Sequence, residues 1–219
     1  MYFLPISLAI FLLFLLLTPF LFFMMPAVAF AKLGLSPLAG LAFFWFSLMG
    51  SLINIPVFRK QLDYYEKPDE VTVFFNRFFG LRIPAFQREQ IISLNLGGAI
   101  LPGLLCLYLL PRVNLGAAIL ATIVTTTFSY YLSKPVKGVG IVIPAFIPAI
   151  IAAIAALIFA AEGNAPAVAY ISGVAGTLIG ADLLRLNQIK RLGGSFLSIG
   201  GAGVFDGIFI VGIISVLLA

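Results

Sequence analysis

The chain has no histidine, a single cysteine and a charged fraction of only 10%. Without imidazole there can be no Ser-His hydrolase, no His-ligated zinc protease, no haem-ligating histidine and no histidine proton relay. One thiol closes no internal disulfide and binds no cluster, and Cys106 lies in the apolar run LLCLYLL, where it reads as a small buried hydrophobe. The shortage of charge excludes a water-soluble domain. Such domains carry about 25% charged and about 45 to 50% apolar residues. This chain is 62% hydrophobic, with a mean hydropathy of +1.17.

What is present fits an integral membrane protein of the cell membrane, with the lipid bilayer as its partner. Phe (22), Gly (21) and Pro (13) are abundant in the 219 residues, and Gly and Pro are better tolerated in membrane helices than in soluble ones. The net charge of +5 is read as a topology signal, with no nucleic-acid partner expected. No metal or other cofactor is expected.

The pattern predicts an all-α fold, a polytopic transmembrane helix bundle forming one membrane domain over residues 1–219. Apolar runs of about 20 residues each, the length that crosses a bilayer, occur seven times: Phe3–Phe30, Leu35–Val57, Ile91–Leu110, Leu115–Leu132, Ile141–Ala161, Ala165–Leu184 and Ser195–Ala219. The first contains Pro19 and Pro26 and should kink. Ala27-Val28-Ala29 offers a signal-peptide alternative, but no basic residue precedes Lys32 and the run is too long.

Cation placement gives an independent expectation. With the N-terminus cytoplasmic, Arg59, Lys60, Lys67, Arg77, Arg82, Arg88, Lys134, Lys137, Arg185, Lys190 and Arg191 fall inside, and only Lys32 and Arg112 outside. That asymmetry is the positive-inside pattern. The one long connection, 59–90, begins with the mixed-charge RKQLDYYEKPDE. From Val71 to Glu89 it interleaves Phe74, Phe75, Phe78 and Phe79 with Arg77, Arg82 and Arg88, the composition of an amphipathic segment in the headgroup plane.

Two acidic residues lie in apolar spans: Asp182 near the inner end of the sixth and Asp206 in the seventh. A carboxylate inside a span costs at least about 2.5 kcal/mol on insertion scales, so each needs a partner or a role. Ile199-Gly200-Gly201-Ala202-Gly203 is a poor helix start and should be partly unwound, which draws Asp206 toward the cytoplasmic side. Asn54, Asn95 and the hydroxyls from Thr125 to Ser133 occupy the same half. Together they predict a polar chamber open to the cytoplasm, lined by Gly201, Gly203, Pro144, Ala145, Phe146, Asn54 and Asn95. Gly176 and Gly180 form a G-x-x-x-G step on the side of the sixth span away from Asp182, which implies a close helix neighbour there.

The strings GSLINIP (50–56), GTLIGADLL (176–184) and SIGGAGVFDGIF (198–209) resemble a family of prokaryotic membrane proteins of unknown function, over nearly the whole chain. A looser similarity is to presenilin-like intramembrane aspartyl proteases, which place one catalytic Asp on an inward-running sixth helix and another, in a G-x-G-D string, on an outward-running seventh. Here two more residues stand between Gly203 and Asp206 than in that string. Pro144-Ala145-Phe146, the counterpart of the proteases' Pro-Ala-Leu, precedes the aspartates where theirs follows. The resemblance implies catalytic roles for Asp182 and Asp206 and a transmembrane helical substrate.

Three functions remain open from the residues. In a di-aspartyl enzyme, one carboxylate activates water while the other protonates the scissile carbonyl. In a small transporter or channel, an Asp would carry a cation or proton beside a broken helix. In a structural protein, the aspartates would bond backbone amides exposed at the Gly kinks.

Overall fold

A computed structural model describes residues 6–62, 88–136, 140–144, 146–161, 163–191, 196–201 and 207–219. Asp206, Gly203, Ala145 and residues 71–87 of the expected interfacial segment lie outside the described residues. The chain is mostly helical. Helix α1 (Ile6–Lys32) is followed by α2 (Pro37–Gly50), strands β1 (Asn54–Leu62) and β2 (Arg88–Asn95), and a π-helical turn (Leu96–Ile100) leading into α3 (Leu101–Leu109). Then come α4 (Leu115–Leu132), strands β3 (Lys134–Val136) and β4 (Gly140–Val142), α5 (Phe146–Phe159), and α6 (Ala165–Thr177) with a π-helical turn (Leu178–Leu183). Short helix α7 (Leu186–Arg191), strand β5 (Phe196–Ile199) and α8 (Gly207–Leu218) complete the order.

Local sequence explains these boundaries. Ser36 caps α2, its hydroxyl accepting from the Ala39 N–H at 3.3 Å with Pro37 in the first turn. Asn114 caps α4 through the Ala117 N–H at 3.1 Å. Helix α1 bends by 45° between Ile10–Pro19 and Phe23–Lys32, at the first of its two prolines.

The all-α expectation is corrected at three of the expected spans. Leu35–Val57 is helical only to Gly50 and then turns into β1, because Pro56 removes a helix donor and Ile55, Val57 and Phe58 favour an extended chain. Ile91–Leu110 begins in β2, and Ser195–Ala219 begins in β5. The three strands form one sheet in the order β1-β2-β5, with β1 antiparallel and β5 parallel to the central β2. Strands β3 and β4 form a separate antiparallel pair.

Among the described residues two helices are long and apolar enough to cross a membrane by themselves, Leu115–Leu132 and Ala165–Gln188, and a third is added if the bent α1 is one span. Four other apolar helical stretches, Pro37–Gly50, Leu96–Arg112, Phe146–Phe159 and Gly207–Leu218, are shorter. Membrane association follows from this composition.

Helix α6 is the centre of the bundle. Its apolar window is 61% buried against 28% for α4. Small side chains allow the close contact: Ala117, Ala121, Ala155, Ala156, Val168 and Ala169 make an alanine-rich seam among α4, α5 and α6. A β-carbon at Gly176 would sit 2.6 Å from Thr125 Cβ, and one at Gly180 2.3 Å from the Thr126 carbonyl oxygen. The G-x-x-x-G step therefore meets α4. A larger cluster joins Phe30, Phe44, Cys106, Leu109, Tyr170, Val174 and Phe209, with the Phe44 and Phe209 rings 5.8 Å apart. Cys106 is buried there, a free thiol in an apolar setting.

The cations mark two ends. Lys32 Nζ donates to the Leu217 carbonyl at 3.2 Å and the Val216 carbonyl at 3.4 Å, closing the C-terminus of α8. A β-carbon at Gly34 would be 3.6 Å from Arg112 Nη1, so Arg112 shares that end. At the far end of α4, Arg185 donates to the Ser133 hydroxyl at 2.9 Å and the Tyr130 carbonyl at 2.5 Å, with its guanidinium 4.4 Å from the Tyr130 ring centre.

Candidate functional site

Asp182 lies inside the π-helical turn that ends the α6 span and is half-buried. Such one-turn irregularities recur at functional sites, since the widened turn displaces a side chain from its regular helical position. The Asp182 Oδ2 accepts a hydrogen bond from the Gly200 N–H at 2.7 Å. Gly200 follows β5 directly, and both it and Gly201 have positive φ, 88° and 107°. Of the stretch expected to be unwound, the described part is non-helical: β5 ends at Ile199 and the two glycines turn the chain, while residues 202–206 lie outside the described residues.

Gly200 has a second reason to be glycine. A β-carbon there would be 2.5 Å from Ala99 Cβ and 2.7 Å from the Ala99 nitrogen. The turn is wedged between Asp182 and the π-helical turn after β2.

That second π-helical turn is held by Asn95. Its Oδ1 accepts from the Gly98 N–H at 2.8 Å, and its Nδ2 donates to the Ser51 carbonyl at 2.6 Å and to Asn54 Oδ1 at 3.2 Å. Ser198 on β5 donates to the same Asn54 Oδ1 at 2.6 Å. Ser93 donates to the Leu197 carbonyl at 3.2 Å. These bonds join α2, β2 and β5, and so fix where Gly200 meets Asp182. Asn95 is fully buried with both ends of its carboxamide engaged. In this structure it holds its neighbours in place, with both Nδ2 hydrogens engaged and Oδ1 bonded to Gly98.

Pro144 and Phe146 stand at the start of α5 and are exposed, Phe146 at 66%. Gly201 lies in the turn itself. Thr125 back-bonds to the Ala121 carbonyl at 3.0 Å, and Thr127 to Ile123 at 2.8 Å, so these hydroxyls satisfy their own helix. The Ser129 and Thr177 hydroxyls are different: both are buried at the α4–α6 crossing and have no hydrogen-bond partner among the described residues. No group of three or more metal-ligating side chains occurs among the described residues.

Sequence reasoning missed the close approach at Gly97, where a β-carbon would lie within van der Waals radius of the Ser47 carbonyl and 2.4 Å from the Ser51 nitrogen. The Ser47 hydroxyl donates to the Gly97 carbonyl at 3.1 Å. The Gly97-Gly98 pair two residues after Asn95 was the available signal.

No curated protein and no solved structure matches the chain. A family model does match, over residues 48–218, which takes in both strands of the β1–β2 pair, both π-helical turns, the glycine turn and α8. The chain belongs to the DUF1614 family, described as proteins of unknown function.

Proposed function

We propose that this protein is a multi-pass intramembrane hydrolase in which Asp182 and Asp206 act together on the backbone of a transmembrane helical substrate. The observation that carries this reading is the 2.7 Å bond between Asp182 and Gly200. It ties the π-helical turn to a glycine turn that leads within six residues to Asp206. Ile208, in the first turn of α8, belongs to the same apolar cluster that Leu178 packs on, one turn before Asp182. That shared packing supports a common location for the start of α8 and the Asp182 turn.

The chemistry needs no metal. One carboxylate, ionised, takes a proton from water as the oxygen attacks the scissile carbonyl. The other, protonated, gives its proton to the carbonyl oxygen, and the nitrogen leaves as the amine after a second proton transfer. Two carboxylates placed to act on one carbonyl would not both ionise, so in this reading the pair shares one proton.

The membrane arrangement belongs to the same proposal: seven crossings with the N-terminus cytoplasmic. Lys32 and Arg112, the two cations expected outside, lie together at one end and Arg185, expected inside, lies at the other, which supports it. The short helices reach bilayer length only when joined to their strands.

A second reading, a cation- or proton-coupled transporter, draws on one observation: the helical path is interrupted at Leu96–Ile100, at Leu178–Leu183 and at Gly200, the broken-helix device of transport sites. One assay separates the two. The purified protein in liposomes is given single-span helical peptides labelled at both ends, and a parallel sample is followed for proton and sodium flux. The proposal expects cleavage that Asp182→Asn and Asp206→Asn each abolish without loss of folded protein. Flux without cleavage, lost in the same variants, selects the transporter.

A further inference from the structure

A groove opens where the end of α3 meets α4. Leu110, Ala118, Ile119, Thr122, Ile123 and Ile171 line it, and it holds about 160 Å³. The Thr122 hydroxyl donates to the Ala118 carbonyl at 2.6 Å, so the one polar side chain in the lining is spent on its own helix. An apolar cavity of about 150 Å³ stays dry and holds a six-carbon ring. The groove therefore suits hydrocarbon and not water. From Ala118 to Ile123 it follows about 7.5 Å of helix, too little room for a second helix about 10 Å across but enough for one chain of methylenes. Its walls are helical, with backbone groups bonded inside their own segments, and so make no polar demand on an occupant.

A cation stands at the mouth. Leu110 and Arg112 belong to one short 3₁₀ turn, Leu110–Arg112, between α3 and α4. Ala118 to Ile123 lie about 5 to 12 Å along α4 from its start at Leu115, so the groove runs away from that turn into the bundle's length. Arg112 is exposed, with its guanidinium 4.2 Å from the Tyr108 ring centre and Nη2 donating to the Tyr108 hydroxyl. That bond takes one of five donors. Around α3, at 100° per residue, Leu107 and Leu104 fall between Leu110 and Tyr108, and they are 62% and 55% exposed. Apolar side chains thus connect the groove to the ring beneath the guanidinium.

We propose that the groove between α3 and α4 seats one acyl chain of an anionic phospholipid, with the second chain over Leu107 and Leu104 and the phosphate at Arg112. Hydrocarbon fits the groove and an anion complements the guanidinium. A phospholipid carries both on one glycerol. The inference rests on the membrane arrangement proposed above and not on the aspartates, so the cleavage assay and the lipid test succeed or fail separately.

The test uses the full chain, delipidated in detergent and titrated with phosphatidylglycerol or phosphatidylcholine of identical chains, with retained lipid counted by native mass spectrometry. One arginine near the surface should favour the anionic lipid roughly fivefold, and Arg112→Gln should bring the two lipids level. Ala118→Leu fills the groove and should lower retention of both lipids several-fold while leaving their ratio unchanged. Should that variant misfold, Ile119→Trp on the exposed rim covers the same space. The proposal is overturned by equal retention of the two lipids in the parent, by a preference that survives Arg112→Gln, or by folded groove variants that retain both lipids as the parent does. Displacement of phosphatidylglycerol by equimolar glycerol phosphate would assign the cation to a free phosphate and also overturn it.

Discussion

The Asp182 carboxylate holds the Gly200 N–H at 2.7 Å, so the acidic residue of the α6 π-helical turn is bonded to the glycine turn that follows β5. This bond is a structural role in its own right. It also separates chemistry from architecture. Asparagine keeps a carbonyl oxygen for Gly200, whereas alanine leaves that N–H unpaired. Asp182→Asn should therefore unfold within about 1 kcal/mol of the parent, and Asp182→Ala about 1 to 3 kcal/mol below it. Thermal unfolding in detergent measures both. Equal stability of the alanine variant would show that the bond contributes nothing.

Gly200→Ala should be more damaging than an ordinary loop substitution. It must accept a positive φ of 88° and a β-carbon 2.5 Å from Ala99 Cβ. A loss of about 2 to 4 kcal/mol is expected from strain and overpacking combined. Ala99→Gly in the same chain should restore part of it, because it removes the atom that the new methyl meets. No rescue would place the whole cost in the backbone.

Asn95 should be worth more than Asn54. Replacing Asn95 by alanine orphans the Gly98 N–H and the Ser51 carbonyl in a buried place, each at about 1 to 3 kcal/mol. Asn54→Ala loses an acceptor for Ser198 and Asn95 in a half-buried setting and should cost less. Denaturant unfolding of the two variants gives the order.

The two lone hydroxyls should behave in the opposite sense. Ser129 and Thr177 are buried without partners among the described residues, so Ser129→Ala and Thr177→Val remove an unsatisfied group with little change of shape. Unfolding temperatures should stay level or rise. A clear fall in either would mean that the hydroxyl holds a bound water or ion.

The sequence foretold much of this where the physics is local. Membrane association follows from composition, the bend of α1 from Pro19, the meeting of α6 with α4 from Gly176 and Gly180, and the non-helical turn after β5 from the Gly200-Gly201 pair. The sheet was illegible because its strands overlap the ends of apolar runs. By hydrophobicity alone, Ile91 to Leu94 or Phe196 to Ile199 continue a helix, and only pairing partners far along the chain make them strands. Asn95 was seen as polar, but its neighbours Ser51, Asn54 and Gly98 come from three segments that no spacing rule connects. Arg185 was assigned to a loop; that it would cap α4 through Tyr130 and Ser133 depends on how two helices end beside each other.

The central claim is that Asp182 and Asp206 are neighbours within the membrane. The most direct measurement is disulfide trapping of Asp182→Cys with Asp206→Cys in a Cys106→Ala background, in lipid and under mild oxidation, read as loss of both free thiols. Bridged cysteines have Cα atoms about 4.4 to 6.8 Å apart, within the range over which two aspartate side chains can meet. The account predicts rapid and nearly complete bridging, faster than for Asp182→Cys paired with a cysteine at Gly207. Two thiols that stay reduced, and that label independently in a folded protein, would contradict it.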